Sequence, residues 1–550
     1  NRFRRFGWST GLLFSLAACA SIPTTGPVQM VEIQPRQVQS DHVRTIVDPP
    51  VPGMTADQIA QGFLDANAAT DSDFAVARQY LVPVASRAWH PTQVDVYDPA
   101  SLEVSAIDSD TVSVSFTLVG RLGSDARLNL FDAPTSQSQW FEMAQTSVGL
   151  RLSNPPTSAL ISIADFQRAY ATSTLWFLNA EYDRVVPDVV WISTSSSDRE
   201  TELLNLLLAG PAGPMAESVR TAIPESTALT RTGVRVESGV SQVALNSKAL
   251  AATDAQRTAM LAQIVYTLGG NYGGVLVSAG SQRLAVGGTQ SFSLDDFNAY
   301  NPDRSELTKP LFRLVDGRLS REDGKRSQRL WAAPSANALA AAWNGQLVAL
   351  SNGAALDVFS TATGKPVSSH RLATRDFEFD LRGRLWFITG QGVLKVMEAD
   401  GRISTVGAVP TGSSLRGIAL SPDDSRVALL VTTATGVALR VFPIIDSPTG
   451  LALGKSMQVE RDLSDVLDVD WASSTELVLL ARTAVESPRV YRLDLRSLRP
   501  RLIPGLTSAL HIIAMPGQPV CAVNDTAVLL CLDNGDWVGR GSALSAAYAG

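Results

Sequence analysis

The spacing of apolar residues divides the chain into three bodies behind a polar N-terminal stretch. Between about residues 54 and 185 the pattern is mixed. Thr55 followed by Gln58 is a capping-box signature, opening a helix with Ile59, Phe63 and Leu64 on one face. A second helical stretch carries Phe74, Ala77, Tyr80 and Leu81. Val112, Val114, Phe116 and Leu118 then alternate with polar residues, the period of a half-buried strand. Further strands are expected over 126–131, 148–152 and 175–177. This body is predicted to be an α+β domain.

Two helices followed by a curved sheet resemble the cone-shaped NTF2-like class, in which Trp89, His90 and Pro91 would sit near the mouth. A packed loop with an exposed histidine is the plainer alternative. From 186 to 288 the signal sharpens. A strand over 189–192 precedes a helix through Leu203, Leu204, Leu207 and Leu208, capped by Ser197 with Glu200 and stopped by Gly210-Pro211. Short strands over 234–237 and 242–245 follow. Thr253 with Gln256 opens a second helix that buries Met260, Leu261, Ile264, Val265 and Leu268, and a strand returns at 275–278. The runs Glu202-Leu-Leu-Asn-Leu-Leu-Leu-Ala-Gly-Pro211, Thr221-Ala-Ile-Pro224 and Gln263-Ile-Val-Tyr-Thr-Leu268 resemble the GerMN domain of bacterial extracytoplasmic proteins, an α/β unit. Leucines at helical spacing are core positions in that reading, and Tyr266 and Thr267 need touch no ligand.

From 289 to 550 no long helix is indicated and a weak repeat emerges. Residues 415–430 and 466–481 both read strand, polar turn, strand, and the unit recurs near 340–350, 377–388 and 511–523. Its second strands are expected to start at Leu347, Leu385, Val427, Leu477 and Val520, a spacing near the ~40–50 residues of a β-propeller blade. Five or six blades are predicted, with Phe312, Leu314 and Leu319 in an irregular first blade or a closing strand. Ser421-Pro-Asp-Asp424 is a turn common in secreted propellers. A β-sandwich array is the alternative.

The N-terminus supplies an address. Arg2, Arg4 and Arg5 precede an apolar stretch from Phe6 to Ala18, the layout of a secretory signal. Leu16-Ala17-Ala18-Cys19 resembles a bacterial lipobox, which implies cleavage between Ala18 and Cys19 and a diacylglyceryl group on the Cys19 thiol. Residues 1–18 are then the signal peptide and 19–53 a lipid anchor and flexible tether; an ordinary secretory signal with an incidental cysteine is the alternative. Two acyl chains anchor a protein firmly where one does not.

Composition narrows the function. At roughly 150 residues per domain, 550 residues suggest three to four domains, and 45% hydrophobic content supplies their cores. A net charge of −7 argues against a dedicated nucleic-acid binder. Four histidines and three cysteines are little material for a zinc or iron–sulfur enzyme, and no metal or cofactor is expected. No nucleophile elbow, zinc-protease, Walker or dinucleotide-binding motif occurs. Gly269–Gly274 follows a helix instead of opening one and reads as a turn. His42, His90, His370 and His511 have no regular spacing. Asp295, Asp296 and Asp303 read as a solvated loop, and Asp465, Asp468 and Asp470 as the polar face of a blade strand. Cys521 and Cys531 flank a hairpin turn centred on Thr526, which places them opposite one another, either bonded or free.

Lipobox, tether, α+β domain, GerMN-like domain and propeller, in that order, resemble the LpqB family of actinobacterial lipoproteins over essentially the whole chain. The resemblance implies a protein on the outer face of the cytoplasmic membrane. It further implies action with the MtrA–MtrB two-component system, through the ectodomain of the sensor histidine kinase, and so on cell-wall and division control. No catalytic residue comes with the family, and only Cys19 carries over. The alternative is an envelope glycan-binding protein or glycan-processing enzyme that uses the propeller channel on cell-wall glycan. Convergent Asp, Glu and aromatic side chains at one propeller mouth would favour that alternative; an exposed apolar patch with a polar rim would favour the kinase modulator.

Overall fold

In the computed structural model residues 47–549 are described, except 270–272, 305–308, 325, 410–413, 435, 461, 464, 484–486 and 498. The signal stretch, Ala18, Cys19 and His42 lie outside the described residues, as does the middle of the Gly269–Gly274 turn.

The first body is a six-stranded sheet closed over helix Ala56–Ala66. The helix starts where Thr55 caps it: the Thr55 N–H donates to Gln58 Oε1 at 3.0 Å. Ile59, Phe63 and Leu64 pack under the sheet, whose strand Thr111–Leu122 buries every second residue. The second helical stretch is not one helix. It breaks into Asp71–Phe74 and a 3-10 turn, Ala77–Tyr80, because Asp73 and Phe74 take φ of 57° and 58°. A left-handed residue cannot propagate a right-handed helix, so burial of Phe74 and Tyr80 outweighs the periodicity.

Strands Tyr170–Leu178 and Val185–Ser193 form one hairpin most of whose apolar residues (Leu175, Phe177, Val186, Val190 among them) belong to the second core, while Tyr170 and Trp191 pack in the first. A domain boundary near 185 therefore falls inside this hairpin, and the division lies closer to residue 170. The hairpin packs against helices Arg199–Leu208 and Asp254–Leu268, which lie beside a sheet ordered Gln282–Arg283, Gly274–Ala279, Val240–Leu245, Leu229–Glu237. Ser197 is not the cap of the first helix: the cap position is Asp198, and Ser196 Oγ donates to Glu202 at 3.0 Å instead. Thr253 and Gln256 do form a reciprocal box. Fully buried Gln263 ties the unit together: its Oε1 accepts from the Ala222 N–H (2.8 Å) and Thr221 Oγ1 (3.3 Å), and its Nε2 donates to the Trp176 carbonyl (3.1 Å). A buried amide with both ends satisfied fixes register as well as adding stability.

The third body is a β-propeller of six four-stranded sheets. Its inner strands are Ala338–Ala341, Thr374–Phe379, Leu415–Leu420, Asp465–Ser473, Ala509–Ile513 and Ser545–Tyr548, and they contact one another in a closed ring. Second strands start at Leu347, Leu385, Arg426, Glu476 and Cys521. These strands are covered on both faces by neighbouring blades, so they read as continuous apolar runs such as Leu385–Thr389. The remaining blade, the first in chain order, is composite. Leu311–Val315, Arg318–Asp323 and Arg326–Ala332 supply three strands, and the C-terminal strand Ser545–Tyr548 pairs with Leu311–Val315 as its innermost.

Cys521 and Cys531 are direct cross-strand partners and are joined in a disulfide. The bond closes a loop of sequence separation 10, a length for which chain entropy predicts about 2–3 kcal/mol. Replacing both cysteines by serine, or reducing the protein, is expected to lower the free energy of unfolding by that amount, read as a lower guanidinium midpoint. An unchanged midpoint would show that the bond contributes nothing to the folded ring.

Candidate functional site

The propeller encloses a central channel containing a cavity of about 190 Å³, lined by the inner strands of all six blades. Four carboxylates dominate its wall. Asp376 and Glu378 come from the third blade, Asp468 and Asp470 from the fifth, and each reaches sideways to the next blade. Asp376 Oδ2 accepts from the Ile418 N–H (2.9 Å) and Glu378 Oε2 from Leu420 (2.7 Å). Asp468 Oδ2 accepts from Ile512 (2.8 Å) and Asp470 Oδ2 from Ala514 (2.7 Å). The second oxygens of Asp376, Asp468 and Asp470 accept from their own following N–H groups, those of Phe377, Val469 and Trp471. The cause is general. An innermost strand is a sheet edge with unpaired N–H groups, and alternate residues on it point into the channel. An acid at every second position of one blade can therefore satisfy the edge of its neighbour with charge-assisted bonds.

Enclosure by protein raises Asp376, Glu378 and Asp470. Burial, aided by the charge of Asp468, lifts Asp376 to about 7. Burial lifts Asp470 to about 8, with backbone N–H bonds from Ala514 and Trp471 opposing it. Glu378 is also raised well above the ordinary glutamate range, by burial and then by Asp470. At the channel mouth His511 lies 3.6 Å from Asp468, whose hydrogen bond and charge raise the imidazole.

The opposite end of the channel, marked by Trp343 and Pro422, is where the middle domain docks. The turn of its long hairpin places Arg184 over the Trp343 ring, 5.9 Å from the centroid, and Arg184 donates to the Pro422 carbonyl at 3.2 Å. Glu181 pairs with Arg382, which also holds Asp446 at 2.9 Å, and Arg440 reaches Asp132 of the first body at 3.2 Å. Asp303 is no solvated loop acid. It accepts from the Ser474 N–H (2.6 Å) and Ser474 Oγ (2.8 Å), and the Ser474 carbonyl in turn takes Arg426 at 2.7 Å. Arg426 is itself buried and paired with Asp423 of the Ser421–Asp424 turn.

Several of the other residues singled out from the sequence make structural contacts. Trp89 is buried and donates to the Pro156 carbonyl at 2.7 Å, while His90 is exposed beside Asp73 and Arg78. Tyr266 packs on Trp176, and Thr267 Oγ1 accepts from the Trp176 N–H at 3.2 Å. Asp296 caps Ser293, and Asp465 accepts from the Val437 N–H at 3.1 Å. Among the described residues no group of three or more His, Cys, Asp or Glu side chains is arranged to hold a metal ion. Asp376, Glu378 and Arg184 are the residues that sequence reasoning missed. The first two had a signal, because Asp376-Phe377-Glu378 repeats the alternation of Asp468-Val469-Asp470.

A folded state that binds protons more tightly than the unfolded chain loses stability as pH rises between the two pKa values. For Asp376 and Asp470 that window runs from the ordinary carboxylate range to about 7 and about 8. The propeller's melting temperature is expected to fall from pH 5 to pH 8, and Asp470→Asn to flatten that slope. A melting temperature that rises across the window would contradict the channel electrostatics.

Three family models cover most of the described chain. The model for "Lipoprotein LpqB, N-terminal domain" matches residues 49–167, that for "Sporulation and spore germination" 174–285, and that for "Lipoprotein LpqB beta-propeller domain" 317–540. Among curated relatives, Lipoprotein LpqB of Cutibacterium acnes is 27% identical over 521 residues, covering 85% of this chain and 84% of the relative. Lipoprotein LpqB of Mycobacterium tuberculosis is 25% identical over 528 residues, covering 87% and 86%. Similar solved structures include TolB from Acinetobacter baumannii, with TM-score 0.36, 11% identity and coverage of 46% of this chain and 70% of that one. A nidogen/laminin complex gives TM-score 0.34 and 13% identity, covering 44% of this chain and 98% of that chain. With LpqB family models over residues 49–167 and 317–540 and relatives named Lipoprotein LpqB aligned along most of its length, the chain belongs to the LpqB family of actinobacterial lipoproteins.

Proposed function

We propose that this lipoprotein is held on the outer face of the cytoplasmic membrane by a diacylglyceryl group on Cys19. There it works by binding and not by catalysis, and its target is the ectodomain of the sensor histidine kinase of the MtrA–MtrB system. Preferential binding to one signalling state of the kinase would shift its population and so cell-wall and division control. The observation that carries the non-catalytic reading is the use of the channel carboxylates. A general acid and base need groups free to exchange protons with a substrate. Here Asp376, Asp468 and Asp470 spend both oxygens on backbone N–H groups, and Glu378 spends one.

The glycan reading draws on those same four acids converging in a channel with Trp343 at one end. Its weakness is size. A cavity of about 190 Å³ is below the ~300–1,000 Å³ of sites that enclose a small organic ligand, and a saccharide needs more.

Two measurements test the proposal. Cys19→Ser is expected to abolish acyl labelling and move the protein from the membrane fraction to the soluble one; retention in the membrane would remove the lipid anchor from the account. The soluble chain, starting after Cys19, is expected to bind the purified kinase ectodomain and to alter autophosphorylation of the full kinase in vesicles. Absence of binding, together with retention on cell-wall glycan, would replace the kinase reading by the glycan one.

A further inference from the structure

The innermost strands carry a second repeat that the latches do not use. In four successive blades the pairing with the second strand skips one residue near the start of the inner strand. The skipped residues are Arg375, Arg416, Leu467 and Leu510. A bulge of this kind turns one side chain out of the sheet. In the composite blade, Leu544 stands at the matching place, just before Ser545. All five are exposed, with Leu467 at 38%, Leu510 at 55% and Leu544 at 49%. Blade order makes the arrangement two-sided: the three leucines come from the adjacent fifth, sixth and composite blades, the two arginines from the third and fourth.

These residues ring the channel mouth that the middle domain leaves uncovered. Hydrogen bonds to neutral acceptors hold the arginines upright. Arg375 donates to the Gly390 carbonyl (3.1 Å), Ser414 Oγ (2.8 Å) and the Leu415 carbonyl (2.9 Å), and Arg416 donates to Thr432 Oγ1 (3.2 Å). None of these contacts neutralises their charge. Exposed leucines side by side, flanked by fixed guanidinium groups on a chain of net charge −7, are an unusual use of surface.

We propose that this open mouth is the protein-docking face of the propeller. It takes a partner segment whose apolar side chains seat on Leu467, Leu510 and Leu544 while a carboxylate of the same segment bridges Arg375 and Arg416. The inference rests on the binding reading above and specifies where that binding occurs. A protein segment fits better than an anionic bilayer because charge and apolar surface are segregated around the mouth. The two arginines stand on one side and the leucines on the other, a pattern that a segment carrying both kinds of side chain can match and a uniform sheet of headgroups cannot. A peptide can place its acid over the arginines alone. Arginine and large apolar side chains are also the residue types that concentrate binding energy in protein interfaces.

The test measures binding of the soluble chain, residues 20–550, to the kinase ectodomain. Three variants are compared: Leu467→Ser/Leu510→Ser/Leu544→Ser, Arg375→Glu/Arg416→Glu, and Val367→Ser as a control on an exposed outer strand. The leucine and arginine variants are each expected to weaken binding about tenfold or more. Added salt should weaken the wild type and, by screening the reversed charges, strengthen the arginine variant, and the control should bind as the wild type does. Melting temperatures check folding, and if the triple leucine variant does not fold, the arginine pair alone decides. Wild-type binding that both variants retain overturns the docking face and leaves the kinase reading standing. No binding by the wild type removes both. If wild-type protein cosediments with phosphatidylglycerol vesicles and the leucine variant loses only that, the ring is a membrane contact and the proposal is wrong.

Discussion

Closure of the ring is the constraint on which this molecule depends. A stack of six four-stranded sheets around an axis has an apolar face at each end unless the last blade meets the first. Here that junction is made within one sheet: Ser545–Tyr548 pairs with Leu311–Val315, so residues more than two hundred positions apart share a hydrogen-bonded ladder. Leu311, Cys521, Leu529, Ala543 and Ala546 bury together at that seam, and the disulfide of the neighbouring blade sits in the same cluster. Covalent and hydrogen-bonded fastening therefore coincide where the chain's two ends of the propeller meet. Non-local pairing of this kind carries a loop-closure cost that blade-by-blade stacking does not, and a cross-link beside it keeps the last blade in one register.

Closing the ring creates the second problem, the inner edges. Six edges face one narrow channel, and water there is confined. The third and fifth blades answer with acids at alternate positions, each reaching the N–H groups of the next blade. The cost is electrostatic: four carboxylates share one lumen, and burial raises Asp376, Glu378 and Asp470 together. The same acids that would suggest hydrolysis of a glycan are the ones whose oxygens hold neighbouring blades in line.

How much of this could be read from the sequence follows from the range of the interactions. The capping boxes at Thr55 and Thr253 are local, and both were legible. Blade spacing was legible because each second strand is an apolar run that stands out from its turns. The long hairpin was not, since its turn at 179–184 carries the polar residues of an ordinary domain linker and gives no sign that both strands serve one core. Asp303 looked like a loop acid because its partner, Ser474, lies 171 residues away. The helix expected through Phe74 and Tyr80 failed for the opposite reason: burial of those side chains needs only short turns, and the periodicity was incidental. The bulge residues have no local signature, since a single skipped pairing leaves the composition of a strand unchanged.

The contacts between the bodies then determine which end of the propeller channel stays open. Several of them are polar and directional: Arg184 on Trp343 and Pro422, Glu181 with Arg382, Arg440 with Asp132, and Asp303 on Ser474. Paired charges at an interface fix orientation more than they add affinity, because desolvation offsets much of their attraction. Arg426 extends the same logic inward, buried between Asp423 and the Ser474 carbonyl so that the turn meeting Asp303 is itself rigid. One end of the channel is consequently committed to the chain's own middle domain. The other end keeps its ring of arginine and leucine at a fixed angle to the N-terminal body. Under the proposed binding role, an orientation already fixed by these contacts leaves less conformational freedom to be lost on association.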